Sequence, residues 1–296
     1  MGTSVRIQHV AECPEVSPVH CEEYDIPTHF HDQTVDWLRI SPGITAGLGK
    51  GWQGTAFIPF DAKKLGILYT LDGEVYHPPY EGIHHRNELL AGPADGTLGL
   101  ERFFGLGDLG MWSLKATTSL PIGRTEEDPF ALTLVGEEHQ HFQMGTGTFI
   151  PSVEAKFVIP GLRIGALGWA ATSQPLYENG KGYFPGARYN AGAGVTYRVT
   201  PDLNTVLSTE YAYETQDAWD GEPSPASGRQ AVVIDVGASW SAMERLTLSS
   251  MLRITAWQVT MTDYHEDQLL QRLVATVGAS WTFGEPDRST AAEPNP

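Results

Sequence analysis

From Tyr189 to Val199 the odd positions read Tyr, Ala, Ala, Val, Tyr and Val, with Asn190, Gly192, Gly194, Thr196 and Arg198 between them. A β-strand turns successive side chains to opposite faces, so this stretch has one apolar and one polar face. The same two-residue period recurs down the chain in segments of about ten residues, the length a membrane-spanning strand needs.

Read this way, the chain contains twelve strands. The first is short, Ser4–Val10, and a long loop follows it. The second covers Thr34–Leu48, with Leu38, Ile40, Ile44, Ala46 and Leu48 on one face. The third runs from Trp52 toward Leu71, bent near Pro59 or the polar stretch Asp61–Lys64. A loop over Asp72–Asp95 leads to Thr97–Phe104, then Leu109–Leu120. A third long loop, Pro121–Met144, precedes a sixth strand through Val153, Ala155, Phe157 and Ile159. Leu162–Ser173 and the Tyr189–Val199 stretch follow. The last four carry Leu203–Glu214, Val232–Trp240, Leu246–Ile254 and Arg272–Phe283.

Connection lengths alternate. Tight turns fall at Gly49–Gly51, Gly105–Gly107, Pro160–Gly161, Pro201–Asp202 and Ala242–Glu244, with longer segments between them. An even strand count with short turns at one end and long loops at the other is the pattern of bacterial outer-membrane barrels. The expectation is an all-β fold: a closed antiparallel transmembrane β-barrel of about twelve strands, with short periplasmic turns and long outer loops. Residues 1–283 would form this single domain, and the polar, Pro-containing tail 284–296 would be disordered.

The polar faces carry Arg39, Lys115, Glu154, Lys156, Arg198, Glu210, Asp235, Arg253 and Arg272. In a soluble secreted β-sandwich these would face water and the apolar faces would pack inward. In a barrel they would line the lumen, where they set selectivity or pair and fill the pore. Connections sorted by length favour the barrel, with the sandwich binding protein as an alternative.

Gly105-Leu106-Gly107-Asp108 opens one strand, Leu120-Pro121-Ile122-Gly123 closes it, and Gly145-Thr146-Gly147 opens the next. With the strand–turn rhythm after Gly147, these motifs resemble a family of bacterial outer-membrane barrels named for the meta-pathway of phenol degradation. The resemblance implies a transporter-like barrel for passive passage of a small solute, aromatic or hydrophobic by the family's name. It brings no catalytic residue.

Composition narrows the reading. The chain of 296 residues is 41% hydrophobic, and no apolar run approaches the ~20 residues of a membrane helix. Acids outnumber bases 36 to 19, a net charge of -17, which argues against nucleic acid as a partner. The expected partners are outer-membrane lipid and a small-molecule solute; nothing indicates an oligomeric state. Cys13 and Cys21 lie close enough for a local disulfide in an oxidising compartment. An outer-membrane location calls for a signal peptide, and the first residues do not read as one.

The ten histidines, His9, His20, His29, His31, His77, His84, His85, His139, His141 and His265, are all expected in or beside the outer loops and none inside a strand. His29 and His31, His84 and His85, and His139 and His141 form local groups. Imidazole suits Zn and Cu, so a surface barrel that binds Zn or Cu through its loops is the second alternative. No zinc signature accompanies them, and no cofactor is otherwise implied. A Gly-x-Ser-x-Gly elbow is absent and no histidine is expected on a strand, so the chain reads as a non-enzyme.

Overall fold

The computed structural model describes residues 1–11 (6–11 as backbone), 26–79, 81, 87–224, 227–261 and 272–283. Among the described residues the chain is all-β apart from a 3₁₀ turn at Gly107–Leu109 and one short helix, α1, Pro129–Val135. Among the described residues no helix is long and apolar enough to cross a membrane.

In chain order the strands are β1 (Gly2–Ala11), β2 (His29–Ile40) continued by β3 (Gly43–Gly49), and β4 (Trp52–Phe57) continued by β5 (Phe60–Leu71). A two-residue β6 (Glu74–Val75) follows, then β7 (Glu88–Pro93) continued by β8 (Gly96–Gly105). Next come β9 (Met111–Leu120), β10 (Pro151–Ile159), β11 (Ile164–Ser173), β12 (Tyr183–Phe184), β13 (Arg188–Arg198) and β14 (Leu203–Glu214). The series ends with β15 (Ala218–Trp219), β16 (Glu222–Pro223), β17 (Arg229–Met243), β18 (Leu246–Thr260) and β19 (Leu273–Trp281). Three short strands, β12, β15 and β16, form a small sheet of their own from two long connections.

All other segments belong to one antiparallel sheet. From β8 it passes through β9, β10, β11, β13, β14, β17, β18 and β19 to β1, β2 and β5. β7, continuous with β8 apart from Ala94 and Asp95, pairs with β5. β1 meets β19 at Gly2 opposite Ala275, and Thr3 Oγ1 donates to Leu273 O at 2.6 Å.

The apolar faces point out. Val195, Leu207, Val236 and Leu252 are neighbours across three successive ladders, and each is exposed. The row beside them, Ser208, Asp235 and Arg253, faces inward, with Ser208 and Asp235 buried. Large aromatics stand next to the short turns: Trp52, Tyr197, Trp240 and Trp281, all exposed, and Phe104 stacked on Trp112 at 4.2 Å. A turn at Gly49, Lys50 and Gly51 holds three successive left-handed residues (φ 81°, 51° and 75°), a path that glycine follows without steric cost.

Most expected strands are present, with differences that share one cause. β2 begins at His29, not Thr34, so His29 and His31 lie inside a strand, and His9 lies inside β1. His29 and His31 were expected in a loop, because a strand whose inward residues are His29, His31 and Gln33 shows no apolar alternation; His9 falls within the expected first strand. The Asp61–Lys64 stretch is likewise strand, with Asp61 and Lys63 buried on the inward face; the break falls at Ile58-Pro59. β6 and β7 occupy part of the expected loop 72–95. The Pro121 loop extends to Ile150 and contains α1. Arg272, expected within the last strand, stands one residue before β19. His77, His139 and His141 lie in connections as expected. Cys13, Cys21, His20, His84, His85, His265 and the tail 284–296 lie outside the described residues.

Candidate functional site

The inward face of the sheet gathers most of the charges that alternation pointed to. Arg253 on β18 makes a two-point pair with Asp235 on β17, Nε to Oδ1 at 2.9 Å and Nη2 to Oδ2 at 3.0 Å. The same guanidinium lies 3.5 Å from Glu210 on β14. Glu210 also accepts from Trp169 Nε1 and Asn190 Nδ2, both at 3.0 Å. Both carboxylates are almost wholly buried, so these donors replace water around them. Arg39 makes the matching two-point pair with Asp61, at 2.6 and 2.8 Å. In the ladders Lys115 stands between Glu101 and Glu154, so one row alternates in sign. Lys156, Arg198 and Arg272 are exposed and join none of these networks.

Beyond this charged row lies a cavity of about 410 Å³. Its wall is rich in hydroxyls, among them Thr97, Thr117, Ser119, Ser152, Ser173 and Thr260. At its rim Glu214 accepts from Arg188 Nε at 2.7 Å and from Arg229 Nε at 3.2 Å. Tyr183, on β12, donates to Asp217 at 2.9 Å. Burial and then the adjacent Asp217 carboxylate hold its phenol well above the ordinary value, so it stays a donor. A bulge brings β18 into this wall: Val233 pairs with Thr255 but Val232 with Trp257, leaving Ala256 as the extra residue. The bulge reverses the phase of the strand, so Gln258 and Thr260 line the cavity while Trp257 and Val259 are exposed.

The opposite side is filled. Val35, Leu65 and Leu90, inward on β2, β5 and β7, pack with Met144 and Phe142 of the 121–150 segment. Lys63 Nζ donates to Gln143 O. Asp95, in the break between β7 and β8, fixes both ends of that segment. Its Oδ1 accepts from Gly123 N at 3.0 Å, and its Oδ2 from Thr146 N and Oγ1 at 2.6 and 2.8 Å. The expected outer loop is therefore held against the inward face of β2, β5 and β7.

Sequence reasoning missed Asp61, Glu101, Arg188, Arg229 and Asp95. The first four stand on the inward phase of their strands: Glu101 follows from the alternation within Thr97–Phe104, and Asp61, Arg188 and Arg229 from extending it to the strand ends. Asp95 carries no periodic signal, because it sits where a strand breaks.

The paired histidines differ in kind. His139 turns both ring nitrogens to nearby protein atoms, Nδ1 to Glu137 O at 2.8 Å and Nε2 to Thr133 Oγ1 at 3.1 Å. His29 and His31 turn Nε2 toward Nε2 at 3.2 Å. Among the described residues no group of three or more His, Cys, Asp or Glu is placed to hold a metal ion.

No family model matches the chain, and no curated protein matches it. Among solved structures it is similar to the crystal structure of the COG4313 outer membrane channel from Pseudomonas putida F1. The TM-score is 0.53 at 12% identity, covering 94% of this chain and 91% of that one, so the likeness is one of fold.

Proposed function

We propose that the chain is an outer-membrane channel of a Gram-negative bacterium: one domain, a closed antiparallel barrel, passing a small solute by passive diffusion. The observation that carries this reading is the inversion of the two faces. Apolar rows face out in a continuous band, while Glu210, Asp235 and Asp61 are buried within. A soluble sandwich needs the reverse arrangement; lipid around the sheet accounts for both faces.

Pairing supports closure. Followed from β1 through β2, β5, the β7–β8 run, β9, β10, β11, β13, β14, β17, β18 and β19, the ladders return to β1. With each interrupted run counted once, the described strands in that circuit number twelve. The aromatics beside the short turns fit an interfacial girdle. The fold shared with an outer membrane channel agrees with the reading. That shared fold favours transport over catalysis.

The 121–150 segment narrows the lumen on one side, leaving the hydroxyl-lined cavity as the path. Its ion pairs and hydroxyls favour a polar solute over the aromatic one that the family resemblance implies. Proteoliposome swelling tests this reading. Small polar solutes should enter liposomes containing the folded chain faster than protein-free liposomes. Equal rates from protein that shifts mobility on boiling in SDS would overturn the channel reading.

A further inference from the structure

One register row crosses six neighbouring strands at the hydroxyl-lined cavity. Ser152 on β10 stands opposite Ser173 on β11, and the row continues through Arg188, Glu214 and Arg229 to Thr260 on β18. All six residues line the cavity, and each carries a hydrogen-bonding side chain. The Ser152 and Ser173 hydroxyls lie 2.7 Å apart. Each hydroxyl has one proton, so that bond uses one of the two and leaves the other.

The charges in this row are unequally presented. Glu214 stands between the two arginines and gives one oxygen to each, Oε1 to Arg188 Nε at 2.7 Å and Oε2 to Arg229 Nε at 3.2 Å. Its side chain is 22% exposed, against 70% for Arg188 and 42% for Arg229. Among the described residues neither guanidinium makes another hydrogen bond. Each keeps its Nη1 and Nη2 donors, a planar fork that matches the two oxygens of a carboxylate. The accessible part of the row is therefore cationic and rich in donors, and the more covered Glu214 orients it.

We propose that Arg188 and Arg229, oriented by Glu214, bind the carboxylate of a small hydroxylated acid, a sugar acid in chemical class. The inference rests on the channel reading for the passage of that solute, while binding itself does not require that the pore conduct. Asp217, the other acid in the lining, accepts from Tyr183, so two acids balance two arginines there. Recognition then depends on directed hydrogen bonds at short range and not on a net field. A carboxylate brings one charge into this balanced lining, whereas a phosphate ester would bring nearly two. An apolar solute would strip water from both forks and from the serine hydroxyls without replacing it, which is costly. A cavity of about 410 Å³ lies within the range of small-molecule sites.

The test compares gluconate with sorbitol, which carries a hydroxymethyl group where gluconate has its carboxylate. Isothermal titration of the full chain refolded in detergent should show saturable binding of gluconate, with sorbitol at least tenfold weaker. Arg188→Gln or Arg229→Gln should weaken gluconate binding at least tenfold. Lys156→Gln, which removes a cation outside the cavity lining, should leave it unchanged. Folded parent chain that does not bind gluconate, equal binding of the two solutes, or equal loss in Lys156→Gln and the arginine variants would overturn the proposal. Should the arginine variants fail to fold, the comparison of gluconate with sorbitol on the parent chain decides. Gluconate-selective binding by a chain that is silent in a planar bilayer supports the site while the channel reading fails. A chain that conducts but binds both solutes alike keeps the channel reading and overturns the site.

Discussion

Trp169 Nε1 donates to Glu210 Oε2 at 3.0 Å by reaching across Gly192, which stands between them in the ladders. A methyl group on Gly192 would overlap the indole ring. The glycine thus serves as a gap in the wall through which a donor reaches a buried carboxylate. Gly192→Ala should lower unfolding stability by about 1–3 kcal/mol, the usual cost of overpacking. Urea titration followed by gel mobility checks this. Trp169→Phe keeps an aromatic side chain of smaller size, removes the N–H, and should cost less than the glycine change.

Arg253 holds two buried carboxylates at once. Arg253→Ala leaves Asp235 and Glu210 without their shared cation. Breaking a fully buried pair costs about 3–5 kcal/mol; the guanidinium is 43% exposed, so a loss of about 2 kcal/mol is expected. Adding Asp235→Asn should restore part of it, because one buried charge then disappears with its partner. No recovery in the double variant would mean that the loss comes from packing.

Asp95 holds the 121–150 segment inside through three hydrogen bonds. Asp95→Ala should release it. Expected outcomes are a larger single-channel conductance and faster protease cleavage between residues 121 and 150, with the barrel's SDS resistance kept. Unchanged conductance would place the constriction elsewhere.

Among the described residues the seam between β1 and β19 is the shortest ladder in the circuit, a single partner pair. Gly2→Cys with Ala275→Cys, in a chain carrying Cys13→Ser and Cys21→Ser, should form a disulfide on mild oxidation of the folded protein. Crosslinking should appear as a reducible mobility shift in the fully denatured chain. Free thiols at both positions in a folded chain would mean that the sheet is open there.

Legibility in the sequence followed the contrast between the two faces of each strand. Where the outward face is apolar and the inward face is polar, as from Tyr189 to Val199, the period of two located the strand to within a residue. The tight turns were equally plain, since Gly49-Lys50-Gly51 and Pro201-Asp202 suit no strand interior. Contrast failed at the ends of long strands. His29, His31 and Gln33 read as loop because polar residues face inward with only Phe30 between the histidines to signal an outer face. Asp61 and Lys63 read as a bend for the same reason. The networks divided similarly: Glu210, Asp235 and Arg253 were found by phase, but their joining in one cluster follows from strand register, which no single strand encodes. Asp95 and the inward fold of the 121–150 segment depend on contacts between distant parts of the chain.

The proposed function requires a water-filled path through a lipid-embedded barrel. Conductance of the refolded chain in a planar bilayer tests it most directly. Discrete, stable current steps are predicted, enlarged by Asp95→Ala. A silent bilayer containing inserted, heat-modifiable protein, in both the parent chain and the Asp95→Ala variant, would contradict it.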